Sequence, residues 1–331
     1  MSAHSNQLRQ TPDQGPDQWR EGVMALPQAF VLDSGQVLRG GHLAWQCAGP
    51  ETAPLIVVLG GISADRHCCA PDDSGWWQSQ CGAGQALDSR RFRLLGIDWL
   101  GGTGDSSNAG GPRRLLEFST ADQARALLLL LNRIGVSQVH LLVGASYGGA
   151  VAQQLAILLG SRLRRLVVLC AAHRSSQFAL GFREIQRAIL DLDSDSPVAL
   201  SIARSLALLG YRTPQGLEQR FADVDAAADV IGWLAHHGEK FAQNFAASSY
   251  RCLGASLDTH RINPASIHVP TTLFGVVEDL LVPRSLLREF AETCGGECDL
   301  VEVSSVYGHD AFLKEKPAVA DVLRTALEIA A

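Results

Sequence analysis

The chain has 331 residues, of which 47% are hydrophobic and 19% charged, and its net charge is −6. That apolar share excludes disorder over most of the chain, and the length suits two average domains or one large α/β domain. The acidic balance excludes a broad nucleic-acid-binding face but leaves room for a small anion held by a few arginines.

In chain order, the first twenty residues are polar and lack the apolar stretch of a secretory signal. Residues 1–38 read as an N-terminal extension. Five short runs then have the near-continuous apolar character of strands buried on both faces of a parallel sheet. They are Pro54–Gly60, Phe92–Asp98, Val139–Gly144, Leu166–Ala171 and Thr271–Val277. A helix is expected over Ala121–Ile134, opened by the capping-box pattern Thr120-Ala-Asp-Gln123 and closed at Gly135. A second helix should begin near Ala150. This alternation predicts an α/β fold with a mostly parallel sheet flanked by helices.

The alternation stops after Ala172. From His173 to about Arg261 the apolar spacing is helical, over Ala179–Leu192, Val198–Leu209 and Ala226–Leu257, with Pro197 and Pro214 as breaks. Strand and helix resume at Val269, and Leu300–Ser304 is the expected last strand. The expected organisation is a core of residues 39–172 and 263–331, interrupted by a helical lid at 173–262. No apolar run approaches the roughly 18 residues of a membrane span, so no membrane partner is expected and the compartment is the cytosol. The eight cysteines are scattered without paired CxxC motifs, so no zinc site is expected and the thiols should be reduced. Cys294 and Cys298 read as incidental loop thiols.

The strongest chemical signal is Gly144-Ala145-Ser146-Tyr147-Gly148-Gly149, a G-x-S-x-G pattern between an expected strand and an expected helix. That context is a nucleophile elbow, with Ser146 exposed on a sharp turn and a helix N-terminus behind it. A serine hydroxyl needs a base, and the base needs an acid to orient it. In this arrangement the order is serine, acid, histidine. Glu278 and Asp279 follow the strand Thr271–Val277, with Asp279 preferred, and His309 follows the last strand. His268 precedes the acid and does not fit the order, while His236, His237 and His260 read as surface or lid residues. The oxyanion hole should combine the N–H of Tyr147 with that of Ile62, in the Gly60-Gly61-Ile62-Ser63 turn.

Further motifs carry a family resemblance. They are Ser74-Gly-Trp-Trp77 with Gly82-Ala-Gly-Gln-Ala-Leu-Asp88, then Leu100-Gly-Gly-Thr-Gly-Asp-Ser106, and then Tyr307-Gly-His-Asp-Ala-Phe-Leu-Lys-Glu315. From about Gly40 onward the chain resembles the homoserine O-acyltransferases of the α/β-hydrolase superfamily. Its elbow departs from the family's usual G-G-S-M-G-G, and its Gly60–Ser63 turn lacks the common leading histidine. Both departures resemble the succinyl-using branch.

The resemblance implies an α/β-hydrolase fold and a ping-pong transfer through an acyl-Ser146, with succinyl-CoA and L-homoserine as small-molecule substrates. It implies no metal and no bound organic cofactor. Asp310 matches the family residue for the homoserine ammonium and Arg204 the arginine for its carboxylate, with Arg212 as the competing choice. A succinyl donor calls for one more cation near Ser146. Arg183 is the candidate, with Arg174 and Arg66 as fallbacks; its plainer alternative is a solvated neighbour of Arg187 at i,i+4. The family analogy also implies a homodimer through the lid. The rival readings are an acetyl donor or a serine acceptor, an esterase, and an inactive binding scaffold. An intact serine, acid and histidine weigh against the last.

Overall fold

Strand residues alternate between two buried faces, and that alternation builds the core. The computed structural model describes residues 19–110, 115–193, 196–222 and 229–330. Leu55, Val57 and Leu59 of β5 (Leu55–Leu59) join one apolar cluster, while Ile56 and Val58 join the other. The first cluster is closed by Leu127 and Leu131 of α1 (Thr120–Arg133) and by Val151 and Leu155 of α2 (Tyr147–Leu159). The second is closed by Val319, Leu323 and Ala326 of the C-terminal helix (Lys316–Ala330).

The sheet has eight strands in the order β1-β4-β6-β5-β7-β8-β9-β10. They are β1 (Trp19–Ala25), β4 (His42–Ala48), β6 (Arg93–Ile97), β5, β7 (Leu141–Ala145), β8 (Leu166–Leu169), β9 (Thr271–Val276) and β10 (Cys298–Val303). From β6 to β10 every pairing is parallel; β1 and β4 add an antiparallel edge. The strands β2 (Ala29–Val31) and β3 (Val37–Arg39) form a separate hairpin.

The five expected internal strands are present, four of them trimmed and β7 shifted to end one residue later, at Ala145, and the expected last strand begins earlier, at Cys298. Four others escaped the sequence pattern. β1 is only half-buried, and the apolar run of β4 is broken by Gln46. The expected extension at 1–38 therefore supplies, from residue 19, the sheet's first strand; residues 1–18 lie outside the described residues. The cap of α1 also differs by one residue. Ser119 Oγ accepts from the Asp122 N–H at 3.0 Å, and Asp122 Oδ2 accepts from the Ser119 N–H at 2.9 Å.

Between β8 and β9 the segment expected as a lid folds as α3 (Gln177–Leu192), α4 (Pro197–Tyr211), α5 (Pro214–Arg220), α6 (Val230–Asn244) and α7 (Ala247–Thr259). The single helix expected over Ala226–Leu257 is thus two, broken at Phe245 and Ala246; residues 226–228 lie outside the described residues. Leu190, Leu200, Ala203 and Tyr250 give the lid its own small core. Its last helix is fastened to the main core, where Cys252 and Leu253 pack. The remaining helices are α8 (Arg284–Thr293), α9 (Ala311–Lys314) and α10, the C-terminal helix. No helix among the described residues is long and apolar enough to cross a membrane.

Candidate active site

β7 delivers Ser146 at the sheet's carboxyl edge, and α2 starts at the next residue, three residues before the expected start. The turn holds Ser146 at φ 52°, ψ −116°, a conformation that non-glycine residues seldom adopt. Glycines make the turn possible. A Cβ at Gly144 would lie 2.3 Å from the Gly148 carbonyl oxygen, and one at Gly148 would lie 2.3 Å from that of Leu59. The Gly148 N–H donates to the Gly60 carbonyl at 2.8 Å, tying the elbow to the preceding turn. Trp99 Nε1 donates to the Gly61 carbonyl at 3.0 Å and holds that turn from the other side. With both carbonyls engaged, the backbone N–H groups of Ile62 and Tyr147 donate to no protein acceptor among the described residues. Ile62 lines the cavity in front of Ser146.

The Tyr147 side chain points the other way, into the core. It is fully buried, with its hydroxyl 2.9 Å from Ser256 Oγ of α7 and 3.2 Å from Gln123 Nε2 of α1. The elbow helix is thereby pinned to both the core and the lid.

Ser146 Oγ lies 2.9 Å from His309 Nε2, and His309 Nδ1 lies 2.7 Å from Asp279 Oδ2. Asp279 Oδ1 accepts from the backbone N–H groups of Leu281 at 2.8 Å and Val282 at 3.1 Å, so the carboxylate cannot swing. Burial disfavours a charged His309, but the adjacent Asp279 carboxylate overcomes it and the imidazole's pKa is raised. The competing acid, Glu278, turns away. It accepts from Ser304 Oγ at 2.5 Å and the Ser305 N–H at 2.8 Å, and so fixes the turn that carries His309. Trp77 Nε1 reaches the Phe312 carbonyl at 3.1 Å, which fastens the tryptophan pair to the segment just beyond His309.

A cavity of about 210 Å³ opens over Ser146 and His309. Arg183, Arg204 and Asp310 all line it. Arg183 is not on a wet helix face: Nε meets Asp258 Oδ1 at 2.6 Å and Nη2 donates to Ser175 Oγ at 2.7 Å. Arg187 grips the other oxygen of the same Asp258. The fallback Arg174 also lines the cavity but pairs with Glu289 at 3.0 Å. Arg66 is held by Asp98 and is not among the lining residues.

Arg204 has no carboxylate partner among the described residues. Its guanidinium sits 5.4 Å from the Tyr211 ring and 4.6 Å from that of Phe241. Arg212, its rival, is absent from the cavity wall and pairs with Asp310 Oδ2 at 2.8 Å. Of the two arginines, one lines the cavity and the other pairs with Asp310.

Among the cavity residues that sequence reasoning missed are Tyr211 and His260. Tyr211 lies with its ring 5.7 Å from that of His309, and burial raises its phenol pKa. It has no motif of its own, only its place beside Arg212. His260, expected on the surface or lid, is buried beside the cavity with Nδ1 2.9 Å from Thr120 Oγ1. Burial holds it neutral, with its pKa lowered to about 4. No cluster suited to a metal ion occurs among the described residues.

The arrangement can generate a serine nucleophile, stabilise an oxyanion and present two cations and a carboxylate to a small polar ligand. Comparisons with known proteins agree on the fold. Residues 54–316 match the α/β hydrolase fold family. A homoserine O-succinyltransferase of Xanthomonas campestris pv. campestris is 37% identical, over 86% of this chain and 79% of that protein. A homoserine O-acetyltransferase of Mycobacterium avium is 30% identical, over 95% of this chain and 92% of its own length. The crystal structure of esterase E22 superposes with a TM-score of 0.83 at 18% identity, over 93% of this chain and all of that one, a likeness of fold alone.

Proposed function

The chain belongs to the α/β-hydrolase family and, within it, to the homoserine O-acyltransferases, and from this we propose that it transfers succinyl from succinyl-CoA to L-homoserine. One observation carries the reading. Arg183 and Arg204 line the same cavity as Ser146 and His309, so a single cavity offers one cation to a succinyl carboxylate and one to an amino-acid carboxylate.

In this reading Ser146 attacks the thioester carbonyl while His309 Nε2 takes its proton. The N–H groups of Ile62 and Tyr147 hold the oxyanion. The tetrahedral intermediate collapses, the sulfur leaves with the proton from His309, and succinyl remains on Ser146. Homoserine then docks with its carboxylate at Arg204 and its ammonium at Asp310. His309 takes the proton of its hydroxyl, which attacks the ester, and Ser146 recovers its proton as the product leaves. Asp279 holds the imidazole in the required tautomer throughout. The lid keeps water from the acyl-enzyme, which separates a transferase from an esterase.

The lid also carries the reading of a homodimer, placed in the cytosol. Phe178, Ile185 and Leu192 recur every seven residues on α3, and Val198, Ile202 and Leu209 follow on α4; all six are exposed. A homoserine O-acetyltransferase is the second reading, favoured by the Mycobacterium avium relative.

The deciding experiment measures thiol release from succinyl-CoA and acetyl-CoA, each with homoserine, with serine and with no acceptor. Release from succinyl-CoA that depends on homoserine supports the proposal. Equal release without acceptor overturns it in favour of a hydrolase, and a preference for acetyl-CoA overturns the donor.

A further inference from the structure

The loop Cys294-Gly-Gly-Glu-Cys298 holds two thiols together. Cys294 ends α8 and Cys298 opens β10, so the loop lies at the sheet's amino edge, opposite the edge that carries Ser146. Both thiols are free and half-buried, whereas the other six cysteines are buried. The glycines between them are a steric requirement. A Cβ at Gly295 would lie 2.2 Å from the Ala265 carbonyl oxygen, and one at Gly296 would lie 2.6 Å from that of His268. The Gly295 N–H donates to the Pro264 carbonyl at 3.1 Å, and the Glu297 carbonyl accepts from the Thr271 N–H at 2.9 Å. The loop is thus tied down beside each cysteine.

Within this loop the Cys298 thiol donates a hydrogen bond to the Cys294 sulfur. Cys294 Sγ also lies 3.5 Å from the Ile267 carbonyl. The bond from Cys298 brings the Cys294 pKa down to about 6, with burial opposing it and the Gly296 N–H assisting. Cys298, as the donor, is pushed up. The charged neighbours are Asp299 and Arg165, which pair with each other at 3.2 Å, and the His268 imidazole lies beside Gly295. A thiolate is the form of cysteine that attacks an oxidant, and a second thiol in contact with it can resolve the product. The buried cysteines differ in both respects: burial raises the pKa of Cys47, Cys170 and Cys252 and screens them from solvent.

We propose that Cys294 and Cys298 form a reversible oxidative modification site, at which a hydroperoxide converts the facing thiols to a disulfide. The site is independent of the acyl-transfer reading. The Cys294 thiolate attacks one peroxide oxygen. The O–O bond breaks, a sulfenic acid forms, and the hydroxide that leaves takes up the proton Cys294 had lost. The Cys298 sulfur then attacks the Cys294 sulfur. The S–S bond forms, the S–O bond breaks, and the hydroxyl leaves as water with the Cys298 proton. The pair loses two electrons, and one peroxide is reduced to two waters.

The test treats the full chain with hydrogen peroxide, caps free thiols with iodoacetamide in denaturant and digests with trypsin. The fragment 289–314 carries both cysteines and no other. Untreated protein should yield this fragment capped twice. Peroxide should yield it uncapped and lighter by two hydrogens, and dithiothreitol before capping should restore both caps. Cys298→Ser should stop at a sulfenic acid on Cys294, which dimedone traps. Cys294→Ser should slow oxidation of Cys298 about tenfold or more, the ratio of thiolate fractions at neutral pH. A parent fragment that stays capped twice after peroxide, or that carries sulfinic or sulfonic acid in place of the link, overturns the proposal. Equally fast oxidation of Cys298 in the Cys294→Ser protein overturns Cys294 as the attacking thiol.

Discussion

Arg183 Nε lies 2.6 Å from Asp258 Oδ1, and Arg187 holds the other oxygen of that carboxylate. One acid on α7 thus fixes two arginines of α3, both of which line the cavity. The like charges at i,i+4 are neutralised by a shared partner, so Arg183 stays in place without a ligand. Arg183→Ala should lower kcat/KM for succinyl-CoA by about tenfold to a hundredfold, the worth of a charge-assisted hydrogen bond. Acetyl-CoA, with no distal carboxylate, should be affected much less. Steady-state kinetics with both donors checks this, and equal losses would remove Arg183 from donor selection.

Arg212 braces Asp310 through the 2.8 Å contact, one residue beyond His309. Removing the brace leaves the acid free to turn away from an incoming ammonium. Arg212→Ala should raise KM for homoserine about tenfold. The first burst of thiol from succinyl-CoA should persist, because acylation needs no acceptor. Loss of that burst would show that Arg212 supports the nucleophile instead.

The pH dependence follows from His309. Burial opposes its charge, Asp279 overcomes that, and its pKa rises above the ordinary value of 6.5. A base must be neutral to act, so kcat/KM should fall as pH drops through this raised pKa. The acid limb therefore lies above the range of an unperturbed histidine. Asp279→Asn removes the raising partner, so the limb should move to lower pH. The rate should also drop by about 10³-fold or more as the imidazole loses its tautomer. A pH–rate profile of both proteins reads the two effects, and an unshifted limb would dissociate Asp279 from His309.

The Tyr147 hydroxyl joins the elbow to the lid through Ser256 and to α1 through Gln123. Tyr147→Phe leaves two buried polar partners without it. The expected cost is about 1–3 kcal/mol of stability. Urea unfolding should show a lower midpoint with an unchanged slope. A midpoint equal to that of the parent would mean that the two partners satisfy each other.

The buried strands were legible because their apolar runs were nearly continuous, and the elbow because glycines flank Ser146 on both sides. The backbone approaches explain that legibility: at Gly144 and Gly148 no side chain fits, so the spacing in the sequence is the steric requirement itself. β1 and β4 were illegible, since an edge strand is half wet and one polar residue breaks the pattern. The break of the long lid helix at Phe245 was hidden because neither residue there is a glycine or proline.

The amino-acid sequence by itself determined the α/β class, the helical insertion between β8 and β9, and the order of serine, acid and histidine along the chain. These depend on local periodicity and on the succession of motifs along the chain. Only the tertiary structure decided between Asp279 and Glu278, adjacent carboxylates that point to different partners. It alone separated Arg204, facing the cavity, from Arg212, committed to Asp310. It alone brought Tyr211 beside His309. The physical reason is common to all three. A side chain's role is set by the direction it points and the charge it meets, and those come from segments distant in sequence that the chain folds against it.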